Sequence, residues 1–299
     1  MLQRQQIDPQ CLLKSGLSGK RMHASHTVAK AAAHVRKLRD CAAHHEGGDD
    51  GLHRGGQQAF DYGLQAITEG QARGMGILPE FCADKPAYSS PWHYHECSMQ
   101  IGVVLGGSVE LGFAPDNISR LTTGDIMLIP GGVVHSVGNP SADYATVEFT
   151  FPGSFGTAEA PEPRYAPGER CQAQMLSASQ ALRVDSHRGL VRYAYPVCPP
   201  HNRTYRLVRE WRSRVVDFSP GEFDSTEGLL LLLVLSGWRE IALDGRTERL
   251  EPCDLLVLGE GATCADLDAS EGHEALVIKV AGDLGADDLS VRSESNQDG

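Results

Sequence analysis

The chain has 299 residues, enough to bury one large core or two smaller ones. Its hydrophobic content of 41% and charged content of 22% are ordinary for a globular protein. The formal net charge of -12 argues against a nucleic acid or an anionic membrane surface as a partner, because neither gains from an acidic protein. Small molecules and other proteins remain as candidate partners.

The beginning of the chain and its cysteines bear on the cellular compartment. Residues 1–16 contain no apolar stretch of signal-peptide length, and the most apolar run, residues 228–238, is too short to span a bilayer. The eight cysteines are scattered without a CxxC pair, which argues against a disulfide framework and against a zinc ribbon. We therefore expect a cytoplasmic protein with reduced thiols and no membrane partner.

The N-terminal part differs from the rest of the chain in the spacing of its apolar residues. Within residues 26–46 the basic side chains lie largely apart from apolar ones that recur at helical spacing, namely Val28, Ala31, Val35, Leu38 and Ala42. The Gly- and Asp-rich stretch that follows is typical of a linker. We expect residues 1–58 to be a helical extension with its linker.

From about residue 60 the chain consists of short apolar runs bounded by Gly, Pro, Asp and Asn, for example residues 101–113, 125–132 and 144–153. Strands at this rhythm, without helical patterns between them, indicate an all-β barrel or sandwich. A stretch rich in Pro and Glu near residues 156–174 then marks a boundary. The sequence therefore predicts a first barrel over residues 59–156 and a linker over residues 157–202.

The second half of the chain repeats the pattern of short apolar runs found in the first half. Residues 230–264 can be laid against residues 101–135, so that Leu235–Gly237 falls on Leu105–Gly107. A repeat of this size is typical of a duplicated β domain. We expect a second, degenerate barrel over residues 203–282 and a disordered tail over residues 283–299.

Three histidines are the candidate functional residues. His93 and His95 are one residue apart, so on a strand their side chains share a face. His135 lies in a strand-turn-strand context after Pro130 and Gly132. Neutral imidazoles suit iron, nickel, copper, zinc and, less well, manganese, and open coordination positions would admit substrate, water or dioxygen. The alternative is three satisfied or surface histidines that bind no metal.

At these residues the sequence resembles the cupin superfamily of jelly-roll β-barrels. The second cupin motif is matched at every position, by Gly124, Pro130, Gly132, His135 and Asn139. The first motif is matched by the histidine pair and the closing glycine at 107, but Ala87 stands where glycine is usual and Gln100 where glutamate is usual. The resemblance implies an all-β fold of two cupin-type barrels in tandem, with residues His93, His95, Gln100 and His135 around one divalent metal.

Gln100 leaves two interpretations open. An amide removes a negative charge and weakens the binding of hard cations. Gln100 could be a weak fourth ligand, or a hydrogen-bonding neighbour, in a working three-histidine site, as in several cupin dioxygenases. It could equally mark a barrel that has lost catalysis and now only binds a ligand. Tyr94, Cys97 and Met99 are candidates to line the substrate cavity, although packing is the default reading for each.

The second barrel lacks this site. The positions that align with the ligands are occupied by Phe223, Ser225, Leu230 and Cys264, which do not form a credible metal site. We expect that barrel to be structural. His273 lies outside the pattern and is interpreted as a surface residue.

The residues and the resemblance together favour a metal-dependent enzyme that acts on a small organic molecule. The main hypothesis is an Fe(II) dioxygenase with a three-histidine centre, with Ni, Mn, Zn or Cu as other candidate metals. A non-redox isomerase, cyclase or lyase needs only a Lewis acid and a proton shuttle. A non-catalytic sensor is the third candidate, because the first barrel also resembles the ligand-binding domain of AraC-type regulators. Exposed edge strands make a homodimer plausible.

Overall fold

The structure is a computed structural model that describes residues 33–46, 57–77, 89–163, 173–187, 189–198, 201, 204–212, 220–225 and 228–281. The helical elements with described bounds are short: α1 (Leu64–Ile67) and the 3-10 turns Leu38–Asp40 and Ala178–Gln180. The first strands are β1 (Ala33–Arg36), β2 (Ala42–Glu46), β3 (Gln57–Asp61), β4 (Arg73–Ile77), β5 (His93–His95), β6 (Met99–Gly106), β7 (Ser108–Ala114), β8 (Asn117–Thr122), β9 (Ile126–Pro130), β10 (Ser136–Gly138), β11 (Ala145–Phe151), β12 (Thr157–Glu159) and β13 (Gln174–Leu176).

The second half adds β14 (Leu182–His187), β15 (Leu190–Ala194), β16 (Tyr205–Arg212), β17 (Gly221–Asp224), β18 (Gly228–Ser236), β19 (Arg239–Leu243), β20 (Arg246–Leu250), β21 (Leu255–Leu258), β22 (Thr263–Ala269) and β23 (Glu274–Ala281). Neighbouring strands in these sheets pair antiparallel. The predicted all-β fold of two barrels in tandem is therefore confirmed.

The first barrel is built from one large sheet and two small ones. Within the described residues the large sheet has the order β13-β9-β6-β11-β4-β3-β2, and the small sheets are β10-β7-β8 and β12-β5. Apolar side chains from the large sheet and from β7 and β8 meet inside, and they include Val104, Met127, Ile129, Leu111 and Phe113. This interior carries the candidate site at one end, where β5 and the segment before β10 come together.

Over the described residues, the second barrel is built from one large sheet and one smaller sheet. Its described large sheet has the order β1-β21-β18-β23-β16-β15-β14 and closes over the sheet β17-β22-β19-β20. Side chains of β18, β19, β21, β22 and β23 form its interior. The two large sheets also pack against each other, so each is covered on both faces.

Strand β18 shows why its sequence is an unbroken apolar run. Side chains alternate along a strand, and here Leu231 and Leu233 enter the core between the two large sheets, whereas Leu230 and Leu232 enter the second barrel. A strand buried on both faces needs apolar residues at every position, not at alternate ones.

The turns that precede β9 and β21 confirm the internal repeat. Gly124 and Cys253 occupy equivalent positions with left-handed backbone angles, φ +89° and +69°. The aspartate that follows each of them accepts a hydrogen bond from a backbone N–H three residues earlier, at 2.8 Å for Asp125 and 2.9 Å for Asp254. The same turn is thus built twice, although glycine is replaced by cysteine in the second copy.

The predicted N-terminal helix is wrong over the described residues. Residues 33–46 form β1, a 3-10 turn and β2, while Val28 and Ala31 of the expected helical face lie outside the described residues. β1 pairs with β21 of the second barrel, and Ala33 and Val35 pack against that barrel's interior cluster. β2 pairs with β3 of the first barrel. The segment is therefore held by long-range strand pairing, which overrides its helical spacing.

Residues 157–202, expected to link the barrels, contribute strands to both. β12 pairs with β5 and β13 pairs with β9 of the first barrel, whereas β14 and β15 extend the large sheet of the second. Over the described parts of the chain, no helix is both long and apolar enough to cross a membrane.

Candidate metal centre

Three buried histidines meet at one end of the first barrel. His93 and His95 lie on β5, and His135 comes directly before β10. Two backbone hydrogen bonds join His93 to His135, of 3.0 Å and 2.8 Å, so the two segments are fixed against each other. The ring centroids are 4.4–5.2 Å apart. One ring nitrogen from each histidine lies within 4.8 Å of the other two, which is close enough for one metal ion to bind all three.

The remaining ring nitrogens are held by oxygen atoms of the protein. Nδ1 of His93 lies 2.8 Å from the carbonyl oxygen of Pro91, and Nδ1 of His135 lies 2.9 Å from that of Val133. A carbonyl oxygen only accepts hydrogen bonds, so each Nδ1 carries the proton and Nε2 is the nitrogen that can coordinate. Such outer partners fix the tautomer and orientation of ligating histidines.

His95 is fixed in a different way. Its Nδ1 lies 2.9 Å from the hydroxyl of Thr157, which β12 brings alongside β5. The ring of Phe155 packs edge-on against the His95 ring, with centroids 5.2 Å apart. Strand β12 and the segment before it therefore support the site from the side.

Electrostatics keep the centre in the state that binds metals. Burial, followed by the charge of His93, lowers the pKa of His135 to about 3. The imidazole is therefore neutral over the physiological range, and neutral imidazole is the ligand form. The residues present fit a divalent metal, because three buried imidazoles are arranged around one point and two of them hold Nδ1 against a carbonyl oxygen.

Gln100 lies on β6 on the interior face of the barrel, directly opposite Ile129 and Thr150 on the neighbouring strands. Its Nε2 donates a hydrogen bond of 3.0 Å to Oε2 of Glu148. Its Oε1 is buried and has no hydrogen-bond partner among the described residues, and the same holds for the hydroxyl of Thr150. Buried acceptors are usually satisfied, so this orphaned oxygen suggests a group that the protein alone does not supply.

Two of the three residues expected to line the cavity, Tyr94 and Met99, face away from it, and the third, Cys97, is buried. Tyr94 lies between the two histidines on β5, and strand alternation therefore sends its side chain to the opposite face. Met99 packs into the core between the two large sheets, on the face of β6 opposite Gln100. Cys97 is buried, and burial raises the pKa of its thiol to about 12, so it remains protonated and inert at neutral pH.

Sequence reasoning missed Glu148, Phe155 and Thr157. Thr157 and Phe155 reach the site through the pairing of β12 with β5, which are 62 residues apart. Glu148 is 48 residues from Gln100 and reaches it across β11 and β6. Alternation along β11 would have placed Glu148 on the face opposite the apolar Val147 and Phe149, but nothing local identifies its partner.

The second barrel carries charged residues in place of a metal site. Arg239 is buried and binds Asp266 through two hydrogen bonds, of 2.9 Å and 2.7 Å, and Glu210 through one of 2.8 Å. The expected surface residue His273 is in fact fully buried. Within the described residues, the three histidines of the first barrel are the sole group of three that could hold a metal.

Comparison with known proteins agrees with this geometry. Residues 81–150 match the family model for the cupin domain. The search of curated proteins found no match. Among solved structures, Bacillus subtilis oxalate decarboxylase, studied for its Mn(II) centres, is 12% identical with a TM-score of 0.60, over 86% of this chain and 78% of that one.

Two further structures are similar over most of their length. Salicylate 1,2-dioxygenase from Pseudoaminobacter salicylatoxidans is 16% identical with a TM-score of 0.57, over 86% of this chain and 83% of that one. Protein Ylba from E. coli is 11% identical with a TM-score of 0.60, over 87% of this chain and 95% of that one. At these identities the likeness concerns the fold. Residues 81–150 thus match the cupin domain, and the described residues form two β-barrels in tandem that share the fold of these solved structures.

Proposed function

We propose that the first barrel binds one divalent metal through His93, His95 and His135, and that the protein is an Fe(II)-dependent dioxygenase acting on a small organic molecule. The observation that carries this proposal is the geometry of the three imidazoles. They are buried, their ligand nitrogens lie within 4.8 Å of one another, and their other ring nitrogens have oxygen partners.

The donor set favours iron over a hard cation. Three neutral nitrogens supply no negative charge, and imidazole suits Fe, Ni, Cu and Zn better than Mg or Ca. Gln100 is the candidate fourth ligand through its orphaned Oε1. A site with three or four protein ligands leaves positions open for a substrate and for dioxygen.

The chain's own residues would orient and shield the reactants. The carbonyl oxygens of Pro91 and Val133 hold two of the rings in one orientation, which avoids the cost of ordering them during the reaction. The apolar interior and the ring of Phe155 limit the access of water. Bound at this site, iron(II) would supply Lewis acidity and electron exchange with dioxygen.

The similar structures support a metalloenzyme without fixing the reaction. A salicylate dioxygenase and an oxalate decarboxylase have the same fold, so the fold serves both oxygen-consuming and decarboxylating enzymes. The specific choice of a dioxygenase therefore depends on the three-histidine donor set and has to be tested on this chain.

The test uses the full chain reconstituted anaerobically with Fe(II) and, as a control, with Zn(II). Nitric oxide is first added as a stable substitute for dioxygen, and electron paramagnetic resonance reports whether it binds the iron. Oxygen uptake is then followed with panels of aromatic, diketone and thiol compounds. We expect a nitrosyl signal and iron-dependent uptake. Absence of the nitrosyl signal in iron-loaded protein would contradict the proposal, and turnover by the zinc form would assign a Lewis-acid enzyme instead.

A further inference from the structure

Glu148 places a carboxylate on the interior face of the first barrel. On β11 it alternates with Val147 and Phe149, which enter the core between the two large sheets. Its side chain therefore points to the opposite face, the one that carries Gln100 on the adjacent strand. The ligand-atom group formed by the three histidines includes no carboxylate of a described residue. Glu148 contacts Gln100, the candidate fourth ligand, through a hydrogen bond between their side chains.

The hydrogen bond between the two side chains fixes the orientation of the amide. Nε2 of Gln100 donates a hydrogen bond of 3.0 Å to Oε2 of Glu148, and a carboxylate oxygen can accept it. Oε1 then points away from Glu148, and it is the atom that is buried without a partner among the described residues. A protonated Glu148 could instead donate a hydrogen bond to Oε1 of Gln100. The amide would then be rotated, and its N–H groups would face the barrel interior.

We propose that Glu148 is a positioning residue for the metal centre, which holds Gln100 so that Oε1 completes the ligand set of His93, His95 and His135. This inference rests on the proposed function. The side chain of Gln100 has no carboxyl group of its own, and its hydrogen bond brings the carboxyl group of Glu148 next to the amide. Outer carboxylates of this kind raise the basicity of a ligand and fix its orientation. The carboxyl group therefore lies on a residue that contacts Gln100, not on residue 100 itself.

The first arm of the test measures metal affinity. Co(II) and Mn(II) affinities are determined by competition with a fluorescent chelator for the unaltered chain, Glu148→Gln and Glu110→Gln. Glu110 is the matched control, because it is also a glutamate on a central strand, and it contacts Asn139 and Arg120 on the solvent-facing side of β7. We expect Glu148→Gln to weaken binding by about 10- to 100-fold and Glu110→Gln to leave it unchanged. Equal affinities in all three proteins would overturn the proposal.

The second arm exchanges the two residues and needs no metal. Gln100→Glu alone brings two carboxylates together inside the barrel, and like charges at this distance repel, so the midpoint of thermal unfolding should fall at pH 8. Adding Glu148→Gln restores an amide donor facing a carboxylate and should recover the midpoint. A double variant as unstable as Gln100→Glu would show that the pair does not interact, which contradicts the proposal.

The two arms also separate this inference from the proposed function. Unaltered protein that binds neither Co(II) nor Mn(II), together with recovery of the midpoint in the double variant, would confirm the side-chain pair and overturn the metal site, and the positioning role with it. Metal binding that is indifferent to Glu148 would overturn the positioning role alone.

Discussion

Arg239 should be among the most costly residues to remove, although it lies in the barrel without the metal site. Its guanidinium makes two hydrogen bonds to Asp266 and one to Glu210, and its side chain is 1% exposed. Arg239→Met keeps an apolar chain of similar length but leaves both carboxylates buried without this cation. Breaking a buried ion pair by removing one partner costs about 3–5 kcal/mol.

The geometry places Arg239→Met near the upper end of that range. Both carboxylates lose their guanidinium at once, and both acidic residues are nearly inaccessible to water. Arg192 can partly compensate the charge of Glu210, since its Nε lies 3.4 Å from Oε1 of that residue. A loss of about 4–5 kcal/mol would be a large part of the roughly 5–15 kcal/mol that separates folded from unfolded proteins.

The assay is urea unfolding followed by tryptophan fluorescence, with a compensated variant as the control. Replacing all three charged residues together, as Arg239→Met, Glu210→Leu and Asp266→Leu, removes the unpaired charges and should return stability to near that of the unaltered chain. Metal bound per folded chain should not change in either variant. A loss below about 1 kcal/mol for Arg239→Met alone would refute the reasoning, because surface pairs have that magnitude.

Three other changes test separate parts of the structure. Burial lowers the pKa of His273 to about 3 from an unfolded value of 6.5, so unfolding takes up a proton between these values and stability should decrease as pH falls from 6.5 towards 3. His273→Gln should therefore flatten that part of the profile of urea midpoint against pH; an unchanged slope would contradict the burial. In Gly131→Ala the new Cβ would lie 1.5 Å from the carbonyl oxygen of Cys97, so the backbone must shift. We expect lost metal binding in a chain that keeps its far-UV circular dichroism, and unaltered binding would count against the close approach. Thr157→Val removes the hydroxyl next to His95 at similar volume, and metal affinity measured by chelator competition should fall by about 10- to 100-fold. Equal affinity would show that this hydroxyl does not support the site.

The histidine site was accessible from the sequence because strand geometry is local. Two histidines at i, i+2 share a face, and the spacing from Gly124 to His135 fits a strand-turn-strand unit. The same alternation would have excluded Tyr94, which lies between the two histidines, and it separates Met99 from Gln100. Tyr94 and Met99 were wrongly expected to line the cavity because strand alternation was applied to the ligand positions and not to the residues next to them.

Other features depend on contacts that local sequence does not encode. Val35 fits a helical and a strand pattern equally well, and its strand partner β21 lies more than 200 residues later. His273 is one polar residue in a turn, and only the closed second barrel buries it. The hydrogen bond from Gln100 to Glu148 needs the register of β6 against β11, which is set by the whole sheet.

The most direct test of the account is the metal content of the full chain after anaerobic loading with iron(II) and removal of loose metal. Elemental analysis should be done beside His135→Ala, which removes one of the three ligands and leaves β5 intact. We expect close to one iron per chain in the unaltered protein and almost none in the variant. The same iron content in both proteins, or no iron in the unaltered chain, would contradict a three-histidine metal centre in the first barrel.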